Sequence, residues 1–451
     1  MIINFGIWGS EMEYCNNHHG SMKSFRPYAF VLIVFFGIAG VGEAIAKEYF
    51  VAASNGNDKN YGTIEAPFFT LEKGVSLLLP GDTLYIRGGT YTRNHKLWEP
   101  PNGISWENAT TIKAYQNEKV IIKSLPGTSV FRFKDDSQYI IMDGLTVDGG
   151  GPGHGLTGYT MGTGSHHLRI INGEVKNTND SALLGSEADY IEIINMKLHD
   201  SWQGTAGYGG GEKSYGFYLN GDYNLVQDCE IYNSHGYGIH MYSTNNQPSH
   251  NRIINNRIHD NDLAGIIVTK GINNQVINNV FWNNARGIEV LYDATNTIVY
   301  HNTSYSNSKG EILLGDRSSQ SIVKNNLLVG TNTQPVLLVV DGTGASKIEN
   351  NLILGVSKNP SELMKIYESS AIAGGNLIGD SYRHGLKKID TFDFHITETS
   401  SAIGAGLVLA DVKVDMDGVS RNSTAGYDIG AYQFGGGISQ EPPTSLRIVN
   451  K

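Results

Sequence analysis

The stretch IINNRIHDN at 253–261 is answered downstream by VINNVFWNN (276–284), IVYHNTSYSN (298–307), IVKNNLL (322–328) and KIENNLI (347–353). Aligning the recurring asparagine gives a column of Asn256, Asn279, Asn302, Asn326 and Asn351, at intervals of 23, 23, 24 and 25 residues. Continued towards the N-terminus, the same column holds Cys229, Met196 and Gly173, at intervals of 27, 33 and 23. Seven or eight residues after most column positions a second apolar alternation begins, with glycine in its second place: YGFYLN (215–220), YGIHMY (237–242), AGIIVT (264–269), RGIEVL (286–291) and KGEILL (309–314). A period of this length marks a stacked architecture. A unit with two or three short strands and no helical periodicity cannot bury its own core. It can form one coil of a parallel β-helix, about 4.8 Å below the next. Asparagine suits an inward corner because its amide can bond backbone groups and pass the pattern to the neighbouring coil. Cysteine and methionine are small or adaptable buried substitutes there. The regular leucine spacing of a leucine-rich repeat is missing.

Composition agrees. The chain has 451 residues, 40% hydrophobic, with 55 glycines, which suits a globular protein of short strands and turns. A net charge of −10 argues against nucleic acid as a partner. It leaves room for an anionic polymer if a local basic cleft or a bound cation reverses the field.

The N-terminus reads as an export signal. Lys23 and Arg26 precede the apolar run YAFVLIVFFGIAGVG (28–42), and Ala44-Ile45-Ala46 is a small-residue cleavage site. The run is short for a membrane span, so no stable membrane insertion is expected after cleavage. Met22 is the natural start, making 1–21 an upstream extension, 22–46 the signal, 47–434 one solenoid domain and 435–451 a flexible tail. Removal of Cys15 with the signal leaves Cys229 alone, so no intrachain disulfide can staple the fold. FFTLEKGVSLLLPGD (68–82) reads as an amphipathic capping helix with Thr70 as N-cap, plugging the N-terminal end of the solenoid, and TLYIRGGTY (83–91) as the start of the first coil. Beyond Leu354 the period fades, and ELMKIYE (362–368) reads as helix.

The opening YFVAASNGNDKNYGTIEAPFFTLEKGVSLLLPGDTLYIRGGTY (49–91) carries the run strand, G-N-D, G-T, P-F-x-T-L, G-D-T, G-x-Y. It resembles the opening of secreted right-handed parallel β-helix proteins of the pectate-lyase-like superfamily, and DFHITETSSAIGAGLVLADVKVDMDGVSRNSTAGYDIGAYQF (393–434) resembles their closing segment. The resemblance implies an all-β right-handed parallel β-helix. Polysaccharide lyases, glycoside hydrolases, uronate C5-epimerases and non-catalytic surface proteins all share that superfamily, so it implies an extracellular polysaccharide partner without selecting a reaction.

The two longest intervals carry insertions, WQGTAGYGGGEKS (202–214) and STNNQPS (243–249), which flank YGFYLN and YGIHMY. Insertions clustered in a repeat protein mark the binding side. Alternation sends Phe217, Leu219, Ile239 and Met241 to the core and Tyr218, Asn220, His240 and Tyr242 outward. Thr269 and Glu289 are expected in the equivalent outward columns, with Lys270, Arg286 and Lys309 close by. This set suits β-elimination on a uronic-acid polymer, which needs a neutralised carboxylate, a base and an acid for the leaving oxygen. His240 has the intrinsic pKa of a base. Tyr218 or Tyr242 could protonate the leaving group, and Lys270 and Arg286 could neutralise the carboxylate. A cation held by Glu289 or Asp293 could do the same. Lys213, Tyr215, Asn220, Tyr237 and Lys309 are expected to bind substrate. Superfamily lyases imply a Lys or Arg base with calcium, which makes Lys213 an alternative base and Ca2+ the one implied cofactor.

Competing readings attach to each residue. Outward Tyr and His can be cross-strand pairs. Lys270 and Arg286 can be solvated charges, and a lone Glu289 is a poor ligand set for a hard cation. His199 and His259, in LHDS and IHDN, read as corner hydrogen-bonding groups. Asp180, Glu212, Asp222, Asp228 and Glu230 are carboxylates that no pattern pairs for hydrolysis. Gly153-His154-Gly155 and NTND (177–180) are similar to polygalacturonase elements, but in reversed order and without the following Asp-Asp; HHL (166–168) reads as a turn leading into a strand. The reading is a secreted or surface-located monomer that cleaves a polysaccharide, set against a regular-coiled adhesin or matrix protein.

Overall fold

A computed structural model describes residues 46–93, 98–123, 125–151, 157–202, 214–340, 342–381, 384–421 and 426–435. The expected export segment up to Ile45, Lys213, Glu212, the Gly153-His154-Gly155 fragment and the tail beyond Gly435 lie outside these residues. Among the described residues no helix is long and apolar enough to cross a membrane.

The chain winds as a right-handed parallel β-helix with three sheets of thirteen, twelve and ten strands. One coil illustrates the plan: Arg252–Ile254 in the first sheet, Arg257–His259 in the second and Ala264–Thr269 in the third. Successive coils pair parallel and in register, so that Ile253 stands on Val276, Val276 on Val299 and Val299 on Val323. All four are fully buried, and one continuous apolar core runs from Val51 to Leu363.

The Asn-Asn doublet is explained by the corner between the first and second sheets. Its first residue takes left-handed φ, at Asn255 (58°), Asn278 (55°), Asn325 (56°) and Asn350 (53°), a conformation asparagine tolerates well. Its second turns inward and stacks. Asn256 N donates to Asn279 Oδ1, Asn279 N to Asn302 Oδ1, and Asn302 N to Asn326 Oδ1, each at 2.9 Å. The ladder runs on through Asn351 to Asn376. At its other end Asn256 Oδ1 receives Cys229 N, and the thioether of Met196 receives Gly173 N. A second ladder at the next corner, Asn261, Asn284 and Asn307, repeats the device and ends on the fully buried carboxyl of Glu311. The glycines that precede the third-sheet strands Phe217–Leu219 and Ile239–Met241 are sterically required: a Cβ on Gly216 would lie 2.6 Å from Gly238 O, and one on Gly238 2.6 Å from Gly265 O.

The ends differ from expectation. Thr70 does cap a helix, its Oγ1 accepting from Lys73 N at 3.2 Å, but the helix is only Leu71–Val75. A bond from Leu79 N to the Asp82 Oδ2 acceptor closes a tight turn where further helix was expected. The first coil begins earlier than Thr83, because Glu48–Val51 pairs with Thr83–Ile86. ELMKIYE is not a helix: Pro360–Leu363 makes one turn, and Met364–Ile366 then pairs with Leu337–Val339 in the third sheet. The ready edge of that sheet outweighs local helix propensity. The period also outlasts Leu354, with strands Ile372–Gly374 and Leu377–Asp380 still in register.

The C-terminal segment folds back as a strap over the outer face of the second sheet. Phe394, Ala402, Ile429 and Tyr432 cluster with Val280, Trp282, Leu327, Val329, Leu352 and Leu354. Buried Arg421 ties it down by donating to Asn278 Oδ1 (2.9 Å) and Gly430 O (3.0 Å).

Candidate active face on the third sheet

The topology puts both insertions beside one sheet. Residues 243–249 join third-sheet strand Ile239–Met241 to first-sheet strand Arg252–Ile254. The longer insertion leads from second-sheet strand Lys197–Ser201 into third-sheet strand Phe217–Leu219. The second sheet carries the strap further along, and the described loop 243–249 borders the third sheet.

Alternation places the side chains as expected in the two flanked strands. Phe217, Leu219, Ile239 and Met241 are buried in the core, while Tyr218 and His240 face outward, half-buried. The strict register then builds an outer row, Leu184, Tyr218, His240, Ile267, Glu289 and Leu313. Thr269 does not belong to this row. It pairs with Leu291, is buried and donates from Oγ1 to Met241 O at 2.6 Å. Its expected place is taken by Ile267, which is buried yet stands outside the core cluster.

Around the His240 imidazole four tyrosine rings converge. The centroid distances are 4.8 Å to Tyr215, 5.0 Å to Tyr237, 5.1 Å to Tyr218, edge-on, and 5.5 Å to Tyr242. Four residues proposed separately from sequence thus form one cage with His240. Burial pushes the Tyr218 phenol up to about 12 and raises those of Tyr215 and Tyr237, so these hydroxyls remain proton donors at neutral pH. Lys270 joins the cage: its Nζ donates to Ser243 O at 2.9 Å and lies 4.9 Å from the Tyr242 ring centroid.

Other expected members are occupied elsewhere. Arg286 is buried and its Nε donates to Glu289 Oε1 at 3.3 Å, so it forms an internal ion pair and is no free cation for substrate. Asn220 belongs to a turn, its Oδ1 accepting from Glu187 N at 2.7 Å. Lys309 is exposed, and backbone bonds Leu263 to Gly236, Ala285 to Leu263 and Lys309 to Ala285 put it three coils beyond the Tyr237 turn. Asp293 is exposed and held in a two-pronged pair by Arg317 at 2.8 and 2.9 Å. Glu289 and Asp293 each therefore face a guanidinium. A hard cation wants six to eight oxygens, and this pair does not fit calcium. Among the described residues no group of three or more His, Cys, Asp or Glu side chains is placed to hold a metal.

Hydrolysis by two carboxylates is also poorly served. Asp180 lies beside Tyr215, its carboxyl raised by burial, and Glu289 lies beside Tyr237. Their coils are four strand spacings apart, about 19 Å, whereas a glycosidase pair is about 5–9.5 Å apart.

A second cluster lies on the second sheet. His199, Tyr232, His259 and Trp282 stack at 4.6, 5.0 and 3.9 Å. His199 is bracketed by Glu174 (3.0 Å) and Asp200 (2.8 Å), and His259 by Asp260 (2.6 Å) and Glu230 (3.6 Å). The histidines sit on strands, and their aspartates are the left-handed corner residues (φ 54° and 52°), so part of the expected corner bonding is present. Each carboxylate has a cationic or imidazole partner, and Trp282 lies under the strap, which makes this a structural column.

A family model described as a Pel9A-like, right-handed β-helix region matches residues 49–217, and one described as a right-handed β-helix region matches 181–353. A curated pectate lyase, PEL9 of Emericella nidulans, is 35% identical over 86 residues, spanning 19% of this chain and 20% of that protein's length. Among solved structures, pectate lyase Pel9A superposes with a TM-score of 0.58 at 17% identity, covering 87% of this chain and 97% of that one. The A-module of the Azotobacter vinelandii mannuronan C-5 epimerase AlgE6 gives 0.51 at 16% identity, covering 66% and 91%. At these identities the superpositions establish the fold alone.

Proposed function

We propose that this chain, a right-handed parallel β-helix that matches a Pel9A-like family model over residues 49–217, is a polysaccharide lyase. It acts outside the cell as a monomer, binding an extended uronic-acid polymer along the third sheet and cutting it by β-elimination. The observation that carries this reading is the convergence of Tyr215, Tyr218, Tyr237 and Tyr242 on His240, all within 5.5 Å between ring centroids. His240 removes the proton α to the uronate carboxyl. The electron pair forms the carbon–carbon double bond as the 4-linked oxygen departs. Tyr218 or Tyr242 delivers a proton to that oxygen, and Lys270 offsets charge developing on the carboxyl.

The test is incubation with pectate, alginate and glycosaminoglycans while following ultraviolet absorbance of the unsaturated product. A rise is expected with one polymer. Reducing ends without that rise indicate hydrolysis, and altered uronate composition without cutting indicates epimerisation; either refutes elimination. His240→Ala should lower turnover by a factor of about 100 or more with the melting temperature nearly unchanged. A large loss of stability with activity per folded molecule preserved would make His240 structural.

A further inference from the structure

The register that builds the cage also fixes what flanks it. Leu184 stands one coil before Tyr218, Ile267 one coil after His240, and Leu313 one coil after Glu289. The charge on Glu289 is met by Arg286, three residues earlier on the same strand. The row's own cations stand only towards its ends: Arg132 precedes Leu184 by two steps through Thr160, and Lys365 follows Leu338. Lys270 supplies one cation, at the Tyr242 side of the cage. The floor therefore offers a positive group to the reacting sugar and aliphatic side chains to its neighbours.

A free carboxylate set against Leu184 or Leu313 would lose water and, among the described residues of the row, gain no counter-charge, which is costly. A methyl ester at the same place carries no charge and buries an apolar methyl. We propose that the third-sheet groove selects a polyuronate whose residues flanking the reacting sugar are methyl-esterified. This rests on the assignment of the third sheet as the substrate face and names the substrate class of that site.

The experiment uses one pectin stock divided into a highly esterified and a fully de-esterified sample, with retention and unsaturated product measured separately at moderate ionic strength. The esterified polymer should be retained about tenfold more tightly and cut faster. Leu184→Lys and Leu313→Lys change partly exposed positions, where a lysine stem can carry its charged head out to water; each should narrow the gap several-fold. Equal or tighter retention of the de-esterified polymer overturns the inference, as does retention of neither, or lysine variants that fold and leave the gap untouched. Selective retention of the esterified polymer with no unsaturated product would refute elimination at His240 and leave the selectivity standing.

Discussion

Asn279 is held on every side. Its Oδ1 accepts from Asn256 N and Nδ2, both at 2.9 Å, and its Nδ2 reaches Ile253 O, Ile277 O and Asn302 Oδ1 at 2.8–3.1 Å. Leucine would strand buried donors and acceptors on two neighbouring coils. Asn279→Leu should cost about 3 kcal/mol, read as a lowered denaturation midpoint with unchanged slope. Glu311 closes the other ladder by accepting from Asn307 N at 3.1 Å and Ser304 Oγ at 2.6 Å. Complete burial pushes its carboxyl from the ordinary 4.5 up to about 7. Between these values the unfolded chain releases a proton that the folded chain keeps. Stability therefore falls as pH rises across that window, by roughly 3 kcal/mol in total. Glu311→Gln should flatten that slope, and denaturation midpoints measured from pH 4 to 8 (roughly the window spanned) would reveal it. The asparagine column was legible because the same residue type recurs at the same spacing. Glu311 was not, since a carboxyl had replaced the amide and lay four residues beyond Asn307 in sequence.

At the level of elements, alternation was enough to find Tyr218 and His240, because each is flanked by apolar residues in a three-residue strand. It failed in AGIIVT, where adjacent Ile266 and Ile267 give no polarity to read and only the register decides which faces out. It failed again in ELMKIYE, whose pairing partner, Leu337–Val339, is about 27 residues away and invisible to local propensity. The strap was recognisable as a segment but not as a cover for the second sheet. Within it His395 bridges two segments: its Nδ1 lies 2.5 Å from Asp393 Oδ1 and its Nε2 2.6 Å from Asp417 Oδ2, with the Tyr432 ring against it. Lys387 and Asp415 complete the surrounding charges. Hydrogen bonding to Asp417 is the main cause raising the imidazole above its ordinary 6.5. The clamp is thus complete below that value and weakens as pH rises through the raised one. Limited proteolysis of the C-terminal segment should accelerate on going from acidic to alkaline buffer. His395→Gln should remove most of that pH dependence, and an unchanged profile would show that the clamp contributes little.

Over the whole molecule, the repeat declared the winding and the insertions declared a face, but neither could assign the ion pairs. Arg286 and Glu289 sit three residues apart in one strand and neutralise each other, which no spacing rule distinguishes from two free charges. The ladders impose a further asymmetry. From the first corner to the second the count is constant at five residues, as in Met196 to Ser201, Cys229 to Ser234, Asn256 to Asn261, Asn279 to Asn284 and Asn302 to Asn307. The return path to the next first corner takes 28, 22, 18, 18 and 19 residues over the same coils. Only the return path carries the third sheet. New sequence can therefore be spliced in beside the third sheet without disturbing the spine of amides. On the proposed reading of the third sheet as a sugar-binding face, a descendant of this scaffold could acquire a different preference by changing loop length alone, its folding code left intact.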